Sequence, residues 1–181
     1  KNLPLPSKQG DIKVLDLLED FGITVNCYTD IVDNCSGMVD VFPCRKLTAI
    51  PNVDASESPD LVPIIALIAS IANGTTVINN AERLRYKESD RLASICSVLK
   101  ALGANITEME DRLIIVGTEK LQGAYEGDGY GDHRIIMMIA VSSLVSVDMV
   151  KIHGASAAAK SFPNFFEVLH KLGLDDNIEL V

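Results

Sequence analysis

Tryptophan is absent from this 181-residue chain, histidine occurs three times, and Phe, Trp and Tyr together make up 5% of it. Its four cysteines, Cys27, Cys35, Cys44 and Cys96, are scattered with no C-x-x-C pair. With that spacing and so few histidines a zinc site is not expected, and the cysteines read as free thiols of a reducing compartment. No apolar run reaches the ~18 residues a membrane-spanning helix needs. The nearest, 61–72, is interrupted by Pro63 and Ser70. Positive charge is also scarce, with 16 Lys and Arg against 25 Asp and Glu and a formal net charge of −9. A nucleic-acid partner needs a broad basic surface and is therefore not expected, nor is a membrane. What remains is a soluble chain, 48% hydrophobic, of a length that buries roughly 70% of its unfolded surface. The cytoplasm is the expected compartment.

The first ten residues contain Leu3-Pro4-Leu5-Pro6-Ser7 and read as a linker or severed segment, with 11–181 as a single domain. An opening at Lys1 without a methionine is what a piece of a longer protein would show. Internal repetition points the same way. A helix end, a glycine and short strands recur at 17–28, at 99–116 and at 169–181, each glycine being a natural helix C-cap. Between them lie two matched blocks. A strand over 47–53, a helix over 59–72 and a strand over 75–79 correspond to a strand over 121–125, a helix over 132–145 and a strand over 147–153. The repeating unit is β-α-β-α-β-β, present twice with the second copy clipped, and preceded by the tail of a third. Such alternation implies an α/β domain with parallel pairings.

Against the acidic background one segment stands out. Arg83-Leu84-Arg85-Tyr86-Lys87-Glu88-Ser89-Asp90-Arg91-Leu92 holds three Arg, one Lys and two acids. It falls between the strand over 75–79 and a periodic apolar segment over 92–102, so the charges crowd a helix start, where free N–H groups and the helix dipole favour anions. A solvated helix start is the alternative, because Lys87 and Glu88 lie at i,i+4 and i,i+3 from Arg91. Asp60, Asp132-His133-Arg134 and Lys160 also fall where a strand ends and a helix begins. Taken singly, Asp60 and Asp132 read as N-caps, His133 as a local hydrogen-bonder or exposed side chain and Lys160 as a surface lysine. Taken together, two acids and several cations on one edge suit a phosphorylated, carboxylated substrate: Arg forks for carboxylate, Lys for phosphate and a carboxylate to move a proton.

The segment Arg85-Tyr86-Lys87-Glu88-Ser89-Asp90-Arg91-Leu92, followed by Gly131-Asp132-His133-Arg134, closely resembles the 5-enolpyruvylshikimate-3-phosphate synthase family. Ser58-Pro59-Asp60 and Ala159-Lys160-Ser161-Phe162-Pro163 fall in the order and spacing of that family's C-terminal domain, so the resemblance spans essentially the whole chain. It implies an inverse α/β barrel-like domain of repeated β-α-β-α-β-β units around a pseudo-threefold axis, with the active site in a cleft against a second, similar domain. The implied reaction transfers the enolpyruvyl group of phosphoenolpyruvate to the 5-hydroxyl of shikimate 3-phosphate and releases phosphate, with no metal or organic cofactor. By residue, the resemblance makes Asp60 the proton acceptor at the attacking hydroxyl and Glu88 the acid that protonates the methylene carbon. Lys87 becomes a shikimate-phosphate ligand, Arg91 and Arg134 bind the phosphoenolpyruvate carboxylate, and Lys160 binds on its phosphate side. Asp132 and His133 take supporting roles. Arg83 stands where some members carry an Asn that touches the shikimate phosphate. The family's N-terminal Lys-Ser pair, further Arg and Ser-Ser-Gln site have no counterpart here, so the chain is expected to hold half a cleft and to be inactive without the N-terminal domain. The related transferase acting on UDP-N-acetylglucosamine shares the fold but differs at Asp132-His133-Arg134, and a non-catalytic, weakly substrate-binding domain is the reading from another class.

Overall fold

The computed structural model describes residues 3–4, 7, 9–29, 36–174 and 176–181. In chain order the elements are β1 (Leu3–Pro4), α1 (Val14–Asp20), β2 (Val25–Thr29), β3 (Ser36–Val41), β4 (Asn52–Asp54), α2 (Val62–Ile71), β5 (Thr75–Asn79), α3 (Arg91–Ala101), β6 (Asn105–Glu108), β7 (Leu113–Val116), β8 (Tyr125–Asp128), α4 (His133–Ser142), β9 (Val150–His153), α5 (Phe165–Lys171) and β10 (Ile178–Leu180). Short 3-10 turns lead into α1, α2, α3 and α5. Leu3 and Pro4, inside the segment expected as linker, pair antiparallel with β3. Cys27, Cys44 and Cys96 are free thiols, and Cys35 lies outside the described residues.

The repeat read from the sequence is the architecture. One complete unit, β4-α2-β5-α3-β6-β7, forms a four-stranded sheet in the order β4-β5-β7-β6, with β4 parallel to β5 and the β6–β7 hairpin antiparallel. The clipped unit, β8-α4-β9-α5-β10, forms an all-parallel sheet in the order β10-β9-β8. The tail, α1-β2-β3, forms a third sheet with β1. The correspondence extends to single bonds: Thr48 bridges Asn73 in one unit and Leu121 bridges Ser146 in the other.

Two expected strands are shifted towards their C-terminal ends. Within 47–53 only Thr48 bridges before β4 begins at Asn52, because Pro51 has no N–H to give the ladder. Within 121–125 only Leu121 bridges before β8 begins at Tyr125, because Gly123 and Ala124 take φ of 78° and 52°, outside the strand region.

The core forms where these units meet. Helix α2 carries no charged side chain, and its one polar residue, Ser70, donates to the Ala66 carbonyl at 2.8 Å. An apolar helix of this kind is stable only when it is covered. Ile65, Ala66 and Ala69 are buried with Ile95 and Leu99 of α3, Ile135 and Ile139 of α4, and Ile78 and Ile115 of the central sheet. Each large aliphatic side chain there contributes roughly 1.5–3 kcal/mol by leaving water. The helix ends repeat as well: α3 stops at Gly103, φ 94°, where the Ala104 N–H returns to the Leu99 carbonyl at 2.8 Å. No helix of the described residues is long and apolar enough to cross a membrane.

Backbone passes closest at Gly117, whose N–H donates to the Gly74 carbonyl at 2.9 Å and where an added Cβ would lie 1.6 Å from the Ala72 oxygen. Gly117→Ala is expected to lower the unfolding free energy by about 3 kcal/mol, the upper end of overpacking costs. Gly154→Ala, with open space around it at φ 67°, should cost about 1 kcal/mol from the left-handed backbone alone. Urea unfolding of the two variants gives both values.

Candidate active site

The cationic run divides once it is folded. Its first part falls in a 3-10 turn, Glu82–Tyr86, and its last two residues, Arg91 and Leu92, open α3. Arg85 clamps the turn to the β6–β7 hairpin: its Nε and Nη2 donate to the carbonyls of Glu110 and Met109 at 2.8 and 2.7 Å, and its Nη1 reaches Glu108 and Asp90. Asp90 is the α3 N-cap and accepts the Ala93 N–H at 3.1 Å. Arg83 is exposed and makes no hydrogen bond or ion pair with any described residue. Of the run, Lys87, Glu88, Ser89 and Arg91 point towards the residues singled out elsewhere in the sequence.

Arg91 is the hub. Its side chain is 1% exposed. Nε donates to Asp132 Oδ2 at 2.7 Å, Nη1 to Asp60 Oδ1 at 2.6 Å, and Nη2 to Glu88 Oε2 at 2.5 Å and Asp132 Oδ1 at 3.3 Å. Around it, Arg134 binds Asp60 twice, from Nη2 to Oδ2 at 2.9 Å and from Nη1 to the main-chain carbonyl at 3.2 Å. Lys87 Nζ lies 3.5 Å from Asp60 Oδ1, and Lys160 Nζ lies 3.6 Å from Glu88 Oε1. Four cations therefore surround three carboxylates, a surplus of one positive charge that suits an incoming anion. Lys87 and Arg134 are about one-third exposed and Lys160 more than half, so the outer cations face solvent while Arg91 does not. Every candidate except Arg83 belongs to this one cluster, assembled from the junctions β4–α2, β5–α3, β8–α4 and β9–α5.

The two acids read as caps behave differently. Asp132 is the α4 N-cap, fully buried, and accepts the Arg134 N–H at 2.9 Å. Asp60 is not a cap. Ser58 holds that position without a side-chain bond, and the Asp60 carboxylate is turned to Arg91, Arg134 and Lys87, whose charges outbid free N–H groups. The run is not simply a solvated helix start: Glu88 pairs with Arg91 at i,i+3, yet the Arg91 end of that pair is buried. His133 is buried, with Nδ1 unpartnered at 3.8 Å from Glu88 Oε1. Two serines escaped the sequence reading. Ser89 Oγ donates to Asp132 Oδ2 at 3.2 Å and receives Ser94 Oγ at 3.3 Å. The only signal for Ser94 was its place one turn after Arg91 on an otherwise apolar helix face.

Burial pushes Asp60 up, but Arg134, the Arg91 hydrogen bond and Lys87 outweigh it and hold its carboxyl below the ordinary range. Asp132 follows the same balance, burial being overcome by Arg91 and the Arg134 N–H. Glu88 is lowered first by its own backbone N–H, against burial, and then by Arg91. All three are therefore carboxylates at neutral pH. Beside them an apolar hollow of ≈180 Å³, lined by Leu61, Pro63, Ile64, Met137, Met138 and Val141, opens at Asp60 and Arg134. A larger hollow of ≈580 Å³ lies between Cys44-Arg45-Lys46-Leu47 and Gly117-Thr118-Glu119 and is lined by none of the candidates. Volume alone would have pointed away from the candidates.

Repeated β-α-β-α-β-β units that bring cations and carboxylates to one edge define an α/β domain whose edge carries surplus positive charge beside ionised acids. Residues 1–169 match the EPSP synthase (3-phosphoshikimate 1-carboxyvinyltransferase) family, and the chain belongs to it. It is 40% identical over 177 residues to a 3-phosphoshikimate 1-carboxyvinyltransferase of Clostridium acetobutylicum, covering 97% of this chain and 38% of that protein. It is 41% identical over 174 residues to one of Methanosarcina acetivorans, covering 96% and 38%. A solved EPSP synthase of Acinetobacter baumannii superposes with a TM-score of 0.74 at 27% identity, over 95% of this chain and 40% of that one. The chain thus spans about two fifths of the length of these relatives.

Removing the hub exposes its energetics. Arg91→Ala leaves three carboxylates facing one another and should lower stability by about 3–5 kcal/mol. Glu88→Gln, at the partly exposed outer rim, should cost under about 1 kcal/mol. Carboxyls lowered in the folded state contribute stability that is present above their unfolded pKa of about 4 and lost as pH falls through the folded value. Stability should therefore decline below about pH 4, less steeply in Asp132→Asn than in the unaltered chain, as chemical unfolding across pH 2–7 will test.

Proposed function

We propose that this chain supplies one wall of an active site that transfers the enolpyruvyl group of phosphoenolpyruvate to the 5-hydroxyl of shikimate 3-phosphate. Residues 11–181 form a single C-terminal-type domain in this reading, and the opposite wall comes from an N-terminal domain. The observation that carries it is the Asp60–Arg91–Glu88 arrangement: two separate carboxylates held by one buried guanidinium inside a ring of cations. The chemistry needs two such groups. A proton must reach the methylene carbon of phosphoenolpyruvate as the 5-hydroxyl loses one and bonds to the neighbouring carbon, after which the tetrahedral adduct gives up a proton from the new methyl group and expels phosphate, restoring the carbon–carbon double bond. Asp60 takes the hydroxyl proton and Glu88 delivers the proton to carbon. Arg134 and Arg91 hold the carboxylate of phosphoenolpyruvate, Lys160 its phosphate side, and Lys87, with Arg83 at the edge, the shikimate phosphate. Asp132 and His133 support Arg91 and Glu88.

Arg91 is fully engaged by carboxylates, so a substrate carboxylate reaches it by taking the place of Glu88, its most exposed partner. That exchange removes one of the two cations that lower the Glu88 pKa and sets a second anion beside it, both of which favour the protonated form a general acid needs. With the opposite wall absent the cluster is open to water, which screens every charge and leaves the reactants unheld.

Phosphate release from phosphoenolpyruvate, measured with this chain joined to the rest of a family-length protein, tests the reading. Release dependent on shikimate 3-phosphate and on both pieces is expected, with no turnover from this chain alone. Asp60→Asn and Glu88→Gln should each lower kcat by about 10²–10⁴-fold. Release that ignores shikimate 3-phosphate would assign the domain another acceptor.

A further inference from the structure

The loop between β8 and α4 carries Asp132, the residue that grips both Arg91 and the start of α4. It is restrained on every side. The Tyr130 N–H donates to Asp128 Oδ1 at 2.8 Å, and the Asp132 N–H donates to the Gly129 carbonyl at 2.9 Å. Gly129 lies so near Ile136 that an added Cβ would sit 2.5 Å from its Cγ1. Between two glycines, Tyr130 itself takes φ 57°, a left-handed conformation that a bulky side chain adopts only where its surroundings impose it. Glycine would hold that backbone without cost. What tyrosine adds is reach: its hydroxyl donates to Ser97 Oγ at 3.1 Å. Ser97 lies on α3, the helix that Arg91 opens. Helix α3 and the loop are thus joined twice, inside through Arg91 and Asp132, outside through Ser97 and Tyr130, and the two links close one circuit.

We infer that Tyr130 is a positioning residue, whose hydroxyl bond to Ser97 keeps the loop in the left-handed turn that aims the Asp132 carboxylate at Arg91. Its consequence for turnover rests on the function proposed above; the positioning does not, and its readout needs no substrate. The Arg91 Nε–H, buried and bonded to Asp132, exchanges with solvent only when that contact opens, and nitrogen-15 NMR of this chain follows it. Tyr130→Phe and Ser97→Ala should each speed that exchange about fivefold, as loss of one ordinary hydrogen bond would. The double variant should be no faster than either, because both remove the same link. Ser97→Thr, which keeps the hydroxyl, should restore slow exchange, and the Ile139 amide within α4, a reporter of overall stability, should not change. Unaltered Arg91 exchange in Tyr130→Phe, additive effects, or Arg91 and Ile139 accelerating together would each overturn the assignment. If exchange quickens while turnover of the family-length protein is untouched, the positioning stands and its link to the proposed reaction falls.

Discussion

A single guanidinium holds the charged edge of this domain together. Arg91 enters the protein interior with its charge intact, which is tolerable only because Asp132, Asp60 and Glu88 converge on it from two other chain segments and from the turn just before its own helix. Such a buried cluster adds little net stability, since desolvating the ions offsets most of their attraction. What it does supply is geometry. Each carboxylate has one low-energy place relative to the fork of N–H donors, so the starts of α2, α3 and α4 are held in register by directional bonds as well as by packing.

The repeated unit explains why these groups can meet at all. In a β-α-β arrangement every helix that follows a strand starts at the same edge of the sheet, and units packed about a common core bring those edges side by side. The apolar α2 and the inward faces of α3 and α4 form that core. Their first turns, with unpaired N–H groups and favourable dipole ends, lie above it. The carboxylates gather there because the fold concentrates positive potential, and the Arg and Lys side chains enlarge it.

Division of labour among the cations follows from depth. Arg85 is spent on the backbone of a neighbouring hairpin, Arg91 on organising carboxylates, and Lys87, Arg134 and Lys160 on the rim, where water and ligands compete for them. A run that reads as one cationic cluster thus performs three different tasks. Rim charges lose most of their force to solvent until something covers them.

Local patterns in the sequence carried the repeat, nearly every helix and strand, and the placement of each charged candidate at a strand-to-helix junction. Hydrophobic periodicity, terminal glycines and turn residues act over a few positions, and they specify elements without needing the rest of the molecule. They missed the two strand shifts at Pro51 and at Gly123-Ala124, where a single backbone constraint outweighed the pattern. The site was visible as a set of residues but not as a structure. That Asp132 caps its helix while Asp60 does not, that Arg91 is buried and Arg83 is left outside, and that Ser89 and Ser94 join the network were decided by tertiary packing. The reason is distance along the chain. Arg91 meets residues 31 and 41 positions away, and Arg134 reaches back 74, and no local periodicity encodes which of several like-charged groups will face one another across a packed core.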